Sequence, residues 1–171
     1  MPGECDLWGM PLLAMMYVRD GSKESEYDPV KIKHAARVAE EVGADIIKVY
    51  YTGSPATFAE ITGSVKVPVV IAGGPKMDST TDLLTMIADS LKAGGTGVST
   101  GRNVFQDADP MRLSGAIRRL LDSDDPDRLL LEALTGKIKK AAKGDNPAED
   151  IPKIVQEFVS HYMSNIPHKK K

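Results

Sequence analysis

One lysine interrupts an otherwise apolar segment of the chain. Lys48 stands between Ile46-Ile47 and Val49-Tyr50. An ammonium group among apolar side chains is costly unless it is paired, and burial favours the neutral amine. A neutral lysine amine is a nucleophile that condenses with a carbonyl group to give a Schiff base. This segment therefore predicts a Schiff-base lysine, and the alternative is a strand-end lysine whose ammonium group reaches solvent.

A tyrosine and an arginine end an earlier apolar segment. Tyr17 closes the run of residues 12–17, and Arg19 follows it by two positions. A phenol at the end of a strand can relay protons to a neighbouring lysine. A guanidinium group can bind an anionic substrate or disfavour the charge of a nearby ammonium group. The alternatives are a tyrosine that only packs at the rim of the sheet and an arginine in an exposed loop.

Two turns with glycines follow the next apolar segments. Gly73-Gly74 ends one segment and Gly101-Arg102 ends another. Glycine lets backbone N–H groups approach a ligand closely, and the N-terminus of a following helix favours anions. The two turns together predict a phosphate cradle, in which Arg102 and Lys76 supply positive charge. The alternative is a pair of ordinary turns with solvent-exposed basic side chains.

Repeated βα units must position these residues. Four apolar, strand-like segments cover residues 12–17, 44–51, 67–72 and 97–100. Continuous apolar runs of this length are typical of strands in parallel sheets, which are covered on both faces. Helical patterns alternate with the strands, and their predicted first residues follow Asp28, Ser54, Asp78-Ser79 and Asp109. Side chains of these types cap helix N-termini, so the alternation predicts an α/β fold.

The βα pattern covers roughly half of the about 250 residues that an eight-unit (β/α) barrel needs. We therefore expect either an open sheet or half a barrel in residues 1–122. Within this range, residues 3–9 are expected to form the end of a helix before the first strand. Residues 123–171 differ in character and are expected to form a helical C-terminal extension. Its last amphipathic helix is predicted from Ala148 to about Met163.

Composition excludes several classes of protein. The chain has 171 residues and a formal net charge of −2, which argues against a nucleic-acid binder that works through bulk positive charge. The single cysteine and three scattered histidines predict neither a disulfide framework nor a metal cofactor held by protein ligands. No apolar run reaches the roughly 18 residues of a membrane span, and no secretory signal is visible. We therefore expect a cytoplasmic protein without a membrane partner.

Four segments, in order and at matching spacing, resemble the archaeal-type class I fructose-bisphosphate aldolase family. They are GMPLLAMMYVR (9–19), IKVYYTG (47–53), VVIAGGPK (69–76) and GRNVFQ (101–106). That family also includes 2-amino-3,7-dideoxy-threo-hept-6-ulosonate synthases and phospho-autoinducer-2 thiolases. The resemblance covers roughly residues 7–121, and it implies the last four strands of a TIM barrel, whose catalytic groups lie at the carboxyl ends of the strands.

The resemblance also implies roles for individual residues. Lys48 matches the Schiff-base lysine of strand six, and Tyr17 matches the proton-transfer tyrosine of strand five. The phosphate-binding segments after strands seven and eight match Gly73, Gly74, Gly101 and Arg102. The implied activity is metal-free cleavage of fructose 1,6-bisphosphate to dihydroxyacetone phosphate and glyceraldehyde 3-phosphate, with no cofactor. The alternatives are the synthase or thiolase reaction with the same lysine, and a non-catalytic assembly protein.

The chain departs from the family pattern in two ways. Val18, Asp20, Val49 and Ser54 replace residues that are usual in the family. The first strands of the family, with their catalytic aspartate, have no counterpart here. We therefore expect a gene fragment, a truncated copy or one half of a split barrel. Its expected partners are a phosphorylated sugar and either further copies of the chain or a complementary N-terminal half-barrel, because open sheet edges attract other strands.

Overall fold

A computed structural model describes residues 2–144 and 146–164 of the chain. The chain divides into two compact units, Met1–Leu121 and Asp122–Lys171. The first unit contains the sheet and every candidate site residue. Each unit is described by itself.

Four parallel strands form one sheet in the first unit, and their spatial order is their order in the sequence. The strands are β1 (Leu13–Met15), β2 (Ile46–Tyr50), β3 (Val69–Ala72) and β4 (Gly97–Ser99). Parallel neighbours need a crossover connection, and helices supply it between successive strands. The predicted α/β class is confirmed.

Helices alternate with the strands, as the sequence predicts. The helices of the first unit are α1 (Pro2–Leu7), α2 (Pro29–Glu41), α3 (Pro55–Thr62), α4 (Thr80–Lys92), α5 (Arg102–Phe105) and α6 (Pro110–Leu121). The predicted caps Asp28, Ser54 and Ser79 each accept a hydrogen bond from the backbone of the first helical turn. The sequence did not predict the four-residue α5 or a 3₁₀ turn at Glu24–Tyr27.

The observed strands are shorter than the apolar segments that predict them. At β1 the difference affects a site residue, because the strand ends at Met15 and Tyr17 lies two residues beyond the strand that it was expected to close. Strand β1 is an edge strand and pairs with β2 alone. A strand with one neighbour receives ladder hydrogen bonds on one side only, and an apolar run does not show where this pairing stops.

The core lies on one face of the sheet, between the strands and the helices. Ile47, Val49, Val69 and Ile71 point to that side and are buried, and Phe58 of α3 packs there without solvent exposure. The opposite face of the sheet is not covered in the same way. Met15 is 61% exposed and Leu13 is 38% exposed. The prediction that both faces of the strands are covered is therefore wrong for this unit, because its described helices cover one face and leave Met15 and Leu13 exposed on the other.

The second unit is helical. Its helices are α7 (Pro126–Ala141) and α8 (Pro147–Ser164), and they pack on each other. Helix α8 confirms the predicted last helix to within one residue at each end. The terminal lysines 169–171 lie outside the described residues.

Replacing the cap of α2 tests how far local signals stabilise this fold. One Asp28 side-chain oxygen accepts from the Val30 and Lys31 N–H groups at 2.8 and 3.0 Å. We expect Asp28→Ala to lower the free energy of unfolding by about 1 kcal/mol, because two backbone donors lose their acceptor. A urea titration measures this, with Asp28→Asn as the matched control that keeps an oxygen acceptor. Equal stability of Asp28→Ala and wild type would contradict the capping role.

Candidate functional site

Lys48 lies on the less covered face of the sheet, at its centre. The register pairs Lys48 with Met15 on β1 and with Val70 on β3. Side chains of paired residues point to the same side of a sheet, so these three form one row across it. Lys48 is half-buried, and its Nζ lies 4.0 Å from the thioether sulfur of Met15. Among the described residues that weak acceptor is its only hydrogen-bond partner, so no carboxylate neutralises the lysine there.

An aromatic cluster lies one step further along the same face. Tyr50 follows Lys48 by two positions on β2, so both side chains point the same way. The ring of Tyr17 packs on Tyr50 with centroids 4.9 Å apart, and the Arg19 guanidinium lies 5.6 Å from the centroid of the Tyr17 ring. Tyr17 therefore packs on Tyr50, and Tyr50 is the next side chain after Lys48 on this face of the sheet. Tyr50 was not among the predicted site residues, although its spacing of two from Lys48 was a visible signal.

The loop after β1 is fixed by ionic contacts. Arg19 forms an ion pair with Glu26 of the 3₁₀ turn, and Lys31 of α2 contacts both Asp20 and the Ser25 hydroxyl. Hydrogen bonds from Lys31 and Ser25 hold the pKa of the Asp20 carboxyl well below its usual range. The predicted anion-binding side chain of Arg19 is thus engaged with Glu26 while it covers Tyr17.

The two glycine turns meet through a buried asparagine. Asn103 is 4% exposed, and its amide group donates to the Gly73 carbonyl at 2.8 Å and to the Pro75 carbonyl at 3.1 Å. Its own carbonyl accepts from the Met77 N–H at 2.7 Å. Nearby, the Thr100 hydroxyl is buried without a partner among the described residues and lies directly against Gly73. The structure therefore brings the two predicted turns together, and they are linked by Asn103, which was not among the predicted site residues.

The backbone and the basic residues of these turns differ in their surroundings. Gly74 has φ +64°, a conformation that favours glycine. Gly101 precedes the short α5, and Arg102 is exposed. The Lys76 ammonium group donates to the Gln106 carbonyl at 2.8 Å, which adds a further link between the turns.

The helix after the diglycine turn begins where the sequence predicts it, at Asp78-Ser79-Thr80, and not directly at the turn. Helix α4 begins only at Thr80 and is capped by Ser79. Any favourable charge at the diglycine turn must therefore come from backbone N–H groups and nearby basic side chains rather than from that helix.

A second tyrosine, Tyr27, was also missed. Its ring stacks on Tyr50 with centroids 5.1 Å apart. Its pKa is raised by burial, then by Tyr50 and Glu26, while Arg102 and Arg19 oppose the rise. Both arginines are therefore close enough to act on this phenol. Tyr27 lies in a polar stretch with no apolar period, so no sequence signal marked it.

Neither metal binding nor membrane crossing finds support in the described part of the chain. No group of three or more histidine, cysteine, aspartate or glutamate side chains there could hold a metal ion. None of the helices there combines the length and the apolar character that crossing a membrane needs.

Comparisons with known proteins show which family this chain resembles. A family model described as DeoC/LacD family aldolase matches residues 2–107. A 2-amino-4,5-dihydroxy-6-oxo-7-(phosphonooxy)heptanoate synthase of Streptomyces griseus is 44% identical over 117 residues, which are 68% of this chain and 43% of the relative. A 2-amino-3,7-dideoxy-D-threo-hept-6-ulosonate synthase of Halobacterium salinarum is 45% identical over 132 residues, which are 76% of this chain and 49% of the relative.

A solved structure extends the likeness to the fold. It is an archaeal fructose-1,6-bisphosphate aldolase with its catalytic lysine covalently bound to the carbinolamine intermediate of the substrate. The TM-score is 0.67 at 35% identity, over 70% of this chain and 48% of the solved chain. The chain thus spans about half the length of the curated relatives it matches. The expected half of a TIM barrel is confirmed by these matches.

Proposed function

The chain belongs to the DeoC/LacD aldolase family, and we propose that it carries the imine-forming and phosphate-binding half of a class I aldolase. In this proposal Lys48 is the nucleophile and the substrate is a phosphorylated ketose. Tyr17 moves protons, and the phosphate group lies at Gly73, Gly74, Gly101 and Arg102. Arg19 supports the same anion.

The placement of Lys48 carries the proposal. The lysine is the one charged residue on β2, and among the described residues its amine meets only a thioether. A structural lysine within an apolar strand would be expected to pair with a carboxylate. Lys48 instead lies half-buried, on the face that in a barrel points to the interior, below the turns at the carboxyl ends of β3 and β4. That is the end of the barrel at which TIM-barrel enzymes react.

The chemistry needs one amine and proton carriers. The Lys48 amine adds to the ketose carbonyl to give a carbinolamine, and loss of water gives a protonated imine. The C3–C4 bond then breaks, its electron pair moves into the imine to form an enamine, and the C4 hydroxyl proton leaves as the aldehyde forms. Protonation of the enamine carbon and addition of water release the second product and restore the amine. Tyr17 is our candidate for proton transfer near the imine, because it packs beside Tyr50 at the same end of the sheet.

Two substrates have support. Fructose 1,6-bisphosphate follows from the likeness to the aldolase whose lysine bears the carbinolamine. A heptulosonate precursor follows from the higher identity, 44% and 45%, to the two synthases. Both reactions use the same amine, and trapping with each phosphorylated carbonyl substrate in turn separates them.

The whole reaction also requires a closed barrel. The sheet has β1 and β4 as open edges, and Leu13 and Met15 are exposed on the face that a barrel encloses. We propose that further copies of the chain or a complementary four-strand half provides the remaining wall. Edge strands of this kind pair readily with other strands.

Reductive trapping tests the proposal. The full chain is incubated with dihydroxyacetone phosphate and sodium borohydride, digested, and analysed by peptide mass spectrometry. We expect the reduced three-carbon phosphate adduct on the peptide that contains Lys48. Folded protein in which that peptide stays unmodified would overturn the assignment of Lys48.

A further inference from the structure

We propose that the Tyr27 hydroxyl is a phosphate-binding group that completes the cradle at the diglycine turn. The inference rests on the proposed function, because it assigns a further ligand to the same phosphorylated substrate. Tyr27 lies outside every segment that carries the family resemblance, and it is held at the site by contacts of this chain.

Tyr27 is positioned at the diglycine turn. A Cβ atom placed on Gly74 would lie 3.8 Å from the Tyr27 hydroxyl oxygen, and that oxygen is its nearest neighbour. The phenol therefore faces the glycine at which the backbone turns with φ +64°. A phosphate oxygen that is bound by backbone N–H groups of this turn lies within reach of the same hydroxyl.

The ring of Tyr27 is held in place while its hydroxyl group stays available. One face of Tyr27 stacks on Tyr50 with an interplanar angle of 29°. The preceding residue, Glu26, is bound to Arg19, and the following residue, Asp28, caps α2. Tyr27 is nevertheless 40% exposed, and its hydroxyl forms no hydrogen bond within the described residues. A held ring with an unused donor at a candidate anion site has the geometry of a ligand-binding tyrosine.

The charges around Tyr27 favour an anionic ligand. Arg102 and Arg19, the two candidate anion-binding side chains, both act electrostatically on Tyr27. Burial, Tyr50 and Glu26 together raise the pKa of Tyr27 above its ordinary value. The phenol thus stays protonated at neutral pH, where it donates a hydrogen bond to an anion. A hydrogen bond to a charged group contributes more than one between neutral groups.

The test compares Tyr27→Phe with wild type in the full chain. The substitution keeps the ring that stacks on Tyr50 and removes only the hydroxyl. Titration with inorganic phosphate, followed by ³¹P NMR, is expected to give a dissociation constant about tenfold higher for the variant. Thermal melting of both proteins should agree, because the missing hydroxyl has no partner within the described residues.

Tyr51→Phe is the matched control. Its ring packs on Phe58 at 5.3 Å on the helix side of the sheet, and its hydroxyl is buried without a partner among the described residues. We expect wild-type affinity for phosphate in this variant. An equal loss of affinity in both variants, unchanged affinity in Tyr27→Phe, or a wild type that binds no phosphate would each overturn the role of Tyr27.

A second measurement separates this inference from the imine chemistry. Borohydride trapping is carried out with dihydroxyacetone phosphate and, separately, with dihydroxyacetone, which lacks the phosphate group. At substrate concentrations below saturation, Tyr27→Phe should form less reduced adduct with dihydroxyacetone phosphate than wild type does. With dihydroxyacetone, the amount of adduct should be the same in both proteins. Equal weakening with both ketones would overturn a phosphate-specific role. Absence of any trapping, with the tenfold difference in phosphate affinity intact, would overturn the imine chemistry and support Tyr27.

Discussion

Lys48→Met is expected to abolish reductive trapping of dihydroxyacetone phosphate, at least about a hundredfold below wild type, because no imine forms without the amine. The same substitution should leave the fold intact. Lys48 lies half-buried in a row with Met15 and Val70, and methionine offers an unbranched apolar chain to the same surroundings. Mass spectrometry of the Lys48 peptide measures the adduct, and a urea titration measures the stability of the same sample.

Lys33→Met is the matched control for this prediction. Lys33 lies on α2, one of the helices that cover the other face of the sheet, and its ammonium group pairs with Glu60 at 3.8 Å. The Lys33→Met substitution removes one lysine outside the candidate site, so trapping of dihydroxyacetone phosphate should remain at the wild-type level. Persistent trapping in Lys48→Met at another lysine would assign the amine elsewhere and remove the basis of the proposed function.

The helices and the central lysine were predictable because their signals are local. Asp28 and Ser54 are polar caps directly before a proline, and both positions begin a helix as expected. Lys48 is conspicuous because a charge within an apolar strand is costly. Side-chain alternation then places it on the same face as Tyr50, a step that needs only the period of a strand. These inferences require no knowledge of distant contacts.

The remaining parts of the site depend on contacts between distant residues. Asn103 bonds to the Gly73 carbonyl across 30 positions of sequence. Tyr27 reaches the site because a 3₁₀ turn, an ion pair and a stacked ring fold its loop back onto Tyr50. Polar loop residues carry no periodic signal, so their tertiary contacts cannot be inferred from spacing.

The less covered face of the sheet could not be predicted for a different reason. An apolar strand has the same composition whether its second face meets helices, other strands or solvent. Met15 therefore looks like a core residue in the sequence and is 61% exposed in the structure. The sequence reports that a face is apolar, whereas only the arrangement of the remaining elements determines what covers it.

Gly73→Ala is expected to lower the free energy of unfolding by about 2–3 kcal/mol, because the new methyl group has no room. A Cβ atom on Gly73 would lie 2.0 Å from Oγ1 and 2.7 Å from Cβ of Thr100, and 3.1 Å from Nδ2 of Asn103. Asn103 cannot move away freely, since it bonds to the Gly73 and Pro75 carbonyls. The turns must therefore separate, and affinity for inorganic phosphate should fall together with stability. Urea titration and ³¹P NMR measure the two effects.

Gly115→Ala is the control for a methyl group added where space exists. Gly115 lies within α6, and a Cβ atom placed on it would meet nothing within 4 Å. Alanine favours the helix there, so this variant should be more stable by about 0.5–1 kcal/mol and bind phosphate as wild type does. The contrast separates crowding at one turn from a general effect of replacing glycine.

A compensating substitution shows whether Thr100 is the cause. Thr100→Gly removes both atoms that a Gly73 methyl group would overlap most closely. In the double variant the loss should be smaller than the sum of the two single losses, with a coupling of about 1–2 kcal/mol. Strictly additive losses would mean that the glycine is required for some reason other than its contact with Thr100. If Gly73→Ala had the same free energy of unfolding as wild type, the two turns would be less closely packed than these distances indicate.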